Sequence, residues 1–176
     1  SEPCPDYNGL TFAETFGDMA FTLYSHAVSL RDLGCTQSPM NAWITLNGVE
    51  TLPLRMERHV ENAQKVAGFL QQHPSVEWVS YAGLSSSPYY QLAQKYLQGK
   101  AGSVFTFGIR GGYESGLRLL EKVELFSHVS NIGDSRSLIL HPASTTHRQL
   151  SDEQRLTAGA GPEVIRLSLG IESAED

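Results

Sequence analysis

Arg166 stands in the run Val164-Ile165-Arg166-Leu167-Ser168-Leu169. Its guanidinium is a permanently charged, planar fork of donors, and that shape suits a carboxylate better than an ammonium does. The densest polar stretch lies earlier, from Asn131-Ile132-Gly133-Asp134-Ser135-Arg136-Ser137-Leu138 to His141-Pro142-Ala143-Ser144-Thr145-Thr146-His147. Several chemistries compete there. His141 and His147 flank a proline and match neither the helical His-x-x-x-His pair nor a finger spacing, so they read as loop-holding histidines and not as metal ligands. Ser137 or Ser144 beside a histidine would be a hydrolytic nucleophile, but no Gly-x-Ser-x-Gly elbow surrounds either, and turn hydroxyls usually cap backbone groups. Gly108-Ile109-Arg110-Gly111-Gly112 follows a strand and precedes a helix, yet it is neither Gly-x-Gly-x-x-Gly nor a Walker sequence and reads as a tight turn. Arg55, Arg58 and His59 are interleaved with Glu57 and Glu61, the pattern of a solvated helix face.

The elements that must position these residues follow from periodicity. A Pro-rich arm gives way at Thr11 to apolar spacings of three and four (Phe12, Phe16, Met19, Leu23), with Gly34 as a stop. Ser38-Pro39 is an N-cap followed by proline at the first helical position, opening a helix towards Gly48. Pro53 then starts a long helix with Met56, Val60, Ala63, Ala67 and Leu70 on one face, ending near His73-Pro74. Strands are predicted at 76–81, 104–109, 126–129, 137–140 and 164–169, with helices at 88–97 and 113–123. The resulting class is α+β, helices packed on one face of a small, largely antiparallel sheet. Alternation along the last strand sends Ile165, Leu167 and Leu169 to the helices and Arg166 to the opposite face. On these grounds alone Arg166 serves either an anion or an ordinary surface ion pair.

Composition narrows the classes. The chain has 176 residues, 40% hydrophobic and 18% charged, as in an ordinary water-soluble domain with no apolar run of membrane-spanning length. A net charge of -6 with scattered basic residues gives no surface for a nucleic acid. Cys4 and Cys35 lack CxxC spacing, which suits a reducing, cytoplasmic setting, and the N-terminal residues resemble no signal or transit peptide. The first residue is Ser1 and the last run is Glu172-Ser173-Ala174-Glu175-Asp176, as expected of a piece of a longer chain.

Six ordered blocks carry a resemblance over nearly the whole chain. They are Leu30-Arg31-Asp32-Leu33-Gly34, Ser38-Pro39-Met40-Asn41-Ala42-Trp43, Gly48-Val49-Glu50-Thr51-Leu52 with Arg55-Met56-Glu57-Arg58-His59, Gly83-Leu84, His141 to His147, and Arg166-Leu167-Ser168-Leu169-Gly170-Ile171-Glu172. Together they resemble the Cys/Met-metabolism family of pyridoxal-phosphate (PLP) enzymes. Three stretches look more like its O-acetylhomoserine sulfhydrylase branch: 30–34, Phe107 to Gly112, and 131–138. There Asn131 and Arg136 stand where the synthases and lyases usually carry a serine and a glutamate.

The resemblance implies the C-terminal domain of a fold type I PLP-dependent transferase, with residues 1–37 an arm and linker helix and 38–176 a substrate-side domain. It implies that Arg166 grips the substrate α-carboxylate and that Asn131 helps to orient it. It also implies a PLP cofactor on a lysine in a Ser-x-Thr-Lys-like setting, which Lys65, Lys95, Lys100 and Lys122 do not match. The cofactor-bearing domain is therefore expected upstream of Ser1, and this chain alone is expected to be inactive. The implied reaction of the intact protein makes homocysteine and acetate from O-acetyl-L-homoserine and sulfide, a step of methionine biosynthesis, in a homo-oligomer. Two alternatives stay open: a cystathionine γ-synthase or a methionine or cystathionine γ-lyase of the same family, and a non-catalytic binding or oligomerisation fragment.

Overall fold

The computed structural model describes Glu2 to Asp176; Ser1, the first residue of the expected arm, lies outside the described residues. Two compact units are present, one reaching to Glu50 and one spanning Thr51 to Asp176. The sequence expectation divided the chain at residue 38, so the helix opened by Pro39 falls here in the first unit.

In the first unit the apolar spacing after Thr11 forms a broken helix: α1 (Phe12–Phe16), a 3-10 turn, α2 (Ala20–Tyr24), a π-helical stretch and α3 (Arg31–Leu33). Gly17 interrupts α1 at φ 50°, a conformation that favours glycine, and Gly34 ends α3 at φ 63°. Phe12 is buried, edge-on to Tyr7 and Tyr24 at centroid distances of 5.5 and 5.2 Å, while the Tyr7 hydroxyl donates to the Ala27 carbonyl at 2.6 Å. Helix α4 (Pro39–Glu50) starts where Ser38 Oγ accepts the Asn41 N–H at 3.2 Å. None of its residues is buried; Trp43 and Met40 are each 62% exposed.

The second unit is built on α5 (Leu52–Gln72), whose Ala63 and Ala67 are buried in one cluster with the sheet residues and whose Val60 is also buried. The sheet has the order β1-β2-β4-β3 and is antiparallel throughout, from β1 (Val76–Ser80), β2 (Val104–Ile109), β3 (Leu138–Leu140) and β4 (Val164–Ser168). Helix α6 (Tyr90–Leu97) lies between β1 and β2 in sequence, and α7 (Gly112–Lys122) follows β2. The core takes Phe105 and Phe107 from β2, Ile139 from β3, Ile165 and Leu167 from β4, then Leu169, Tyr81 and Leu120. Each such side chain contributes about 1.5–3 kcal/mol relative to exposure. The side-chain alternation expected for 164–169 is the one observed, and Arg166 lies on the face away from this core.

Three expectations need correction. Residues 126–129 do not form a strand: Ser127 makes a single parallel bridge to Leu138, and the Val129 N–H then turns back to the Ser127 carbonyl at 3.0 Å. A partner strand of three residues offers no longer ladder. His59 is not on a solvated face; it is fully buried, because it precedes Ala63 and Ala67 at spacings of four. Helix α8 (Asp152–Thr157) was not foreseen, although Ser151 and Gln154 form a capping box: Ser151 Oγ accepts from the Gln154 N–H at 3.3 Å, and Gln154 Oε1 accepts from the Ser151 N–H at 2.9 Å. Among the described residues no helix is long and apolar enough to cross a membrane.

Candidate functional site

On the face of the sheet away from the core, register aligns Ser80, Thr106, Arg166 and Leu140 in one row across β1, β2, β4 and β3. One row along, the Trp78 indole lies where a Cβ on Gly108 would stand, so β2 needs glycine there. Arg166 is partly buried, and its Nη2 donates to the backbone carbonyl of Asn131 at 3.3 Å. Arg58, Arg110, Arg136 and Arg155 each face a carboxylate, whereas Arg166 has none within ion-pair distance among the described residues. A guanidinium with one donor committed to a carbonyl keeps the rest of its fork for an incoming anion.

Asn131 meets Arg166 through its main chain. Its side-chain oxygen accepts the Ile132 N–H at 2.8 Å, and its side chain also hydrogen-bonds Asp134. Asp134 accepts the Arg136 N–H at 3.0 Å and pairs with the Arg136 guanidinium at 3.3 Å. These contacts, the backbone N–H first, hold the Asp134 carboxyl below the ordinary carboxylate range. The loop is closed at its base, where the Ser127 N–H donates to the Ser137 carbonyl and the Ile139 N–H to the Ser127 carbonyl, both at 3.0 Å. The Asn131 carbonyl is thereby carried to Arg166, on the face of β4 opposite the core cluster.

A second lacing holds the far end of that loop. Glu172 accepts the Ser137 N–H at 2.7 Å and the Ser137 hydroxyl at 3.0 Å, and Ser137 Oγ accepts the Gly170 N–H at 2.9 Å. Helix α5 grips the same segment: Asn62 Nδ2 donates to the carbonyls of Gly170 and Glu172 at 3.0 and 2.9 Å, and His59 Nδ1 lies 2.5 Å from the Leu169 carbonyl. From the sequence, Glu172 is only a mark of resemblance and His59 is assigned to a solvated helix face. The available signal was the i, i+3 pair His59 and Asn62 on an otherwise apolar helix face.

The other candidates have structural partners. His141 is fully buried, its Nε2 2.8 Å from the Pro162 carbonyl and its Nδ1 3.0 Å from Ser144 Oγ, with Tyr113 edge-on at 5.0 Å. With both nitrogens so engaged the ring braces the turn, and among the described residues no carboxylate orients it as a triad would. His147 meets Thr146 instead. No cluster of three His, Cys, Asp or Glu capable of holding a metal occurs among the described residues. Gly111 and Gly112 form the turn after β2 at φ 87° and 60°.

The four lysines do not fit covalent attachment of PLP. Lys65 pairs with Glu61 at 3.0 Å and Lys100 with Glu57 at 3.3 Å, both half-exposed. Lys95 lies over the Tyr96 ring at 4.9 Å, and Lys122 closes the exposed end of α7.

The geometry defines an antiparallel α+β module with a partly buried arginine that has no carboxylate partner among the described residues. Residues 11–176 match the family model described as Cys/Met metabolism PLP-dependent enzyme, and the chain belongs to that family. Its whole length is 49% identical to O-acetyl-L-homoserine sulfhydrylase 1 of Thermus thermophilus, of which it covers 42%. It is 50% identical to the O-acetyl-L-homoserine sulfhydrylase of Leptospira meyeri, again covering 42%, and 43% identical to the homocysteine synthase of Schizosaccharomyces pombe, covering 41%. A crystal structure assigned as an O-acetylhomoserine (thiol)-lyase of Campylobacter jejuni, with N'-pyridoxyl-lysine-5'-monophosphate at position 205, superposes on the whole chain with a TM-score of 0.86 at 42% identity. This chain covers 42% of that one. It thus spans about two fifths of the relatives it matches.

Proposed function

We propose that the chain is the substrate-carboxylate-binding part of a PLP-dependent O-acetylhomoserine sulfhydrylase, whose cofactor lysine lies in a domain preceding this one in the full polypeptide. The observation that carries the reading is Arg166: partly buried, on the sheet face opposite the core cluster, and without a carboxylate partner among the described residues. Bound PLP supplies an electron sink for the carbanions of a γ-replacement, in which acetate leaves O-acetyl-L-homoserine and sulfide takes its place to give homocysteine. This chain contributes position. The guanidinium fixes the amino acid by its α-carboxylate, so that the Cα proton is held at a constant place and orientation for the base on the other domain. The Asn131 carbonyl takes one guanidinium donor and thereby fixes the plane of the fork.

The intact protein is a cytoplasmic homo-oligomer in this reading, and α4, apolar with no buried residue, offers surface for burial against the remainder of the polypeptide or another subunit. Giving the full-length protein O-acetyl-L-homoserine with sulfide tests the reaction. Homocysteine and acetate are expected. Cystathionine formed preferentially when cysteine is offered, or elimination without sulfur transfer, would reassign it to the synthases or lyases of the family.

A further inference from the structure

The contacts around Ser137 assign a role to a residue outside the row that carries Arg166. We propose that Glu172 is a positioning residue for the substrate carboxylate, acting through Ser137 on the loop that presents Asn131 to Arg166; this rests on the carboxylate-binding reading of Arg166.

Glu172 uses both carboxylate oxygens on one residue, Oε1 on the Ser137 N–H at 2.7 Å and Oε2 on the Ser137 hydroxyl at 3.0 Å. Hydrogen bonds to an ionised acceptor are about twice as strong as neutral ones. The hydroxyl is used twice, since its oxygen also accepts the Gly170 N–H at 2.9 Å. Ser137 is buried, so neither bond is readily replaced by water. Beside these contacts, the Ile171 N–H donates to the Ser135 carbonyl at 2.9 Å. The space is closed as well: a Cβ on Gly170 would collide with Glu172 Oε2, the Ser135 carbonyl and the Arg136 backbone. Asn62, reaching from α5, ties the Glu172 carbonyl to the core helix at 2.9 Å.

Two anchors therefore set the loop. Backbone bonds from Ser127 close its base, and Glu172 fixes the residue at which it re-enters β3. Asn131 lies between these anchors, and its carbonyl is the partner that orients the Arg166 fork. Without Glu172, the Ser137 N–H loses its partner, the loop relaxes, and the Asn131 carbonyl no longer selects one guanidinium plane. The substrate bond that depends on that plane weakens, while chemistry on correctly bound substrate is unaffected. The signature is a rise in KM for the amino acid with kcat largely preserved.

The experiment uses the full-length, PLP-loaded enzyme with Glu172→Ala, Glu172→Gln, the milder Ser137→Ala, Arg166→Ala, and the double variant Glu172→Ala/Arg166→Ala. Glu172→Ala and Ser137→Ala are expected to raise KM for the amino acid substrate about tenfold and about threefold, with kcat within twofold. Glu172→Gln, which keeps an acceptor for the Ser137 N–H, recovers most of the loss. On the Arg166→Ala background, Glu172→Ala adds nothing further, because the group it positions is gone. An unchanged KM in Glu172→Ala and Ser137→Ala while Arg166→Ala raises it overturns the positioning role and leaves the carboxylate reading standing. An equal effect of Glu172→Ala on both backgrounds also overturns it. An unchanged KM in Arg166→Ala itself defeats the underlying reading instead. If Glu172→Ala does not fold, Ser137→Ala and Glu172→Gln, each alone and combined with Arg166→Ala, decide the question by the same criteria.

Discussion

Arg166 Nη2 donates to the main-chain carbonyl of Asn131 at 3.3 Å, across 35 residues of sequence. A strand side chain and a loop backbone are thus joined on the face of the sheet opposite the core cluster. Strand alternation explains why Arg166 is there, and the closed loop explains why Asn131 is.

Gly170 is sterically obligatory. Its hypothetical Cβ meets carbonyl and backbone atoms of Ser135 and Arg136 that cannot rotate away, as well as the Glu172 carboxylate. Gly170→Ala is expected to destabilise the full-length protein by about 1–3 kcal/mol, seen as a lower denaturation midpoint at unchanged slope.

Gly116 offers a contest of two effects. Alanine is favoured over glycine within a helix by about 1 kcal/mol. A Cβ on Gly116, however, would lie 2.9 Å from the fully buried His141 ring, whose two nitrogens are tied to Ser144 and Pro162. The ring cannot yield cheaply, so Gly116→Ala should lower the thermal midpoint. A raised midpoint would show that His141 moves freely.

Tyr81 links stability to alkaline pH. Burial pushes its phenol up to about 12 from 10.0, and the hydroxyl donates to the Gly102 carbonyl at 2.9 Å. The folded state keeps the proton that the unfolded chain releases, so this contribution is complete below pH 10 and is lost as pH rises towards 12. Tyr81→Phe should cost about 1 kcal/mol near neutrality and flatten the fall in stability over that alkaline window, which denaturation curves at several pH values will show.

The purified 176-residue chain mixed with PLP should give no Schiff-base absorption band that depends on one of its lysines, since each has a different environment. A band abolished by replacing Lys65, Lys95, Lys100 or Lys122 would contradict the placement of the cofactor lysine in the remainder of the polypeptide.

Periodicity made the long helix, the four sheet strands and the face of Arg166 legible, because helix and strand patterns record which side chains meet the core. It failed where backbone bonding decides. Residues 126–129 have strand-like composition but lack a ladder of sufficient length, and α8 is announced by a cap at Ser151 and not by an apolar stripe. His59 sits between Arg58 and Glu61, so local charge suggested solvent, while its spacing to Ala63 determines burial. The lacing of Glu172 to Ser137 spans 35 residues, and no local pattern encodes it. Asn131 was legible as a polar loop residue, but the use of its carbonyl in place of its side chain is a property of the folded loop.

Recognition of the substrate α-carboxylate by Arg166 is open to a single comparison. The direct measurement is kcat/KM of the full-length enzyme and its Arg166→Ala variant, each with the amino acid substrate and with the corresponding amine that lacks the carboxylate. The variant is expected to lose roughly ten- to a hundredfold on the amino acid, mainly through KM, and to change little on the amine, erasing most of the preference between them. An undiminished preference for the carboxylate-bearing substrate in Arg166→Ala would contradict it.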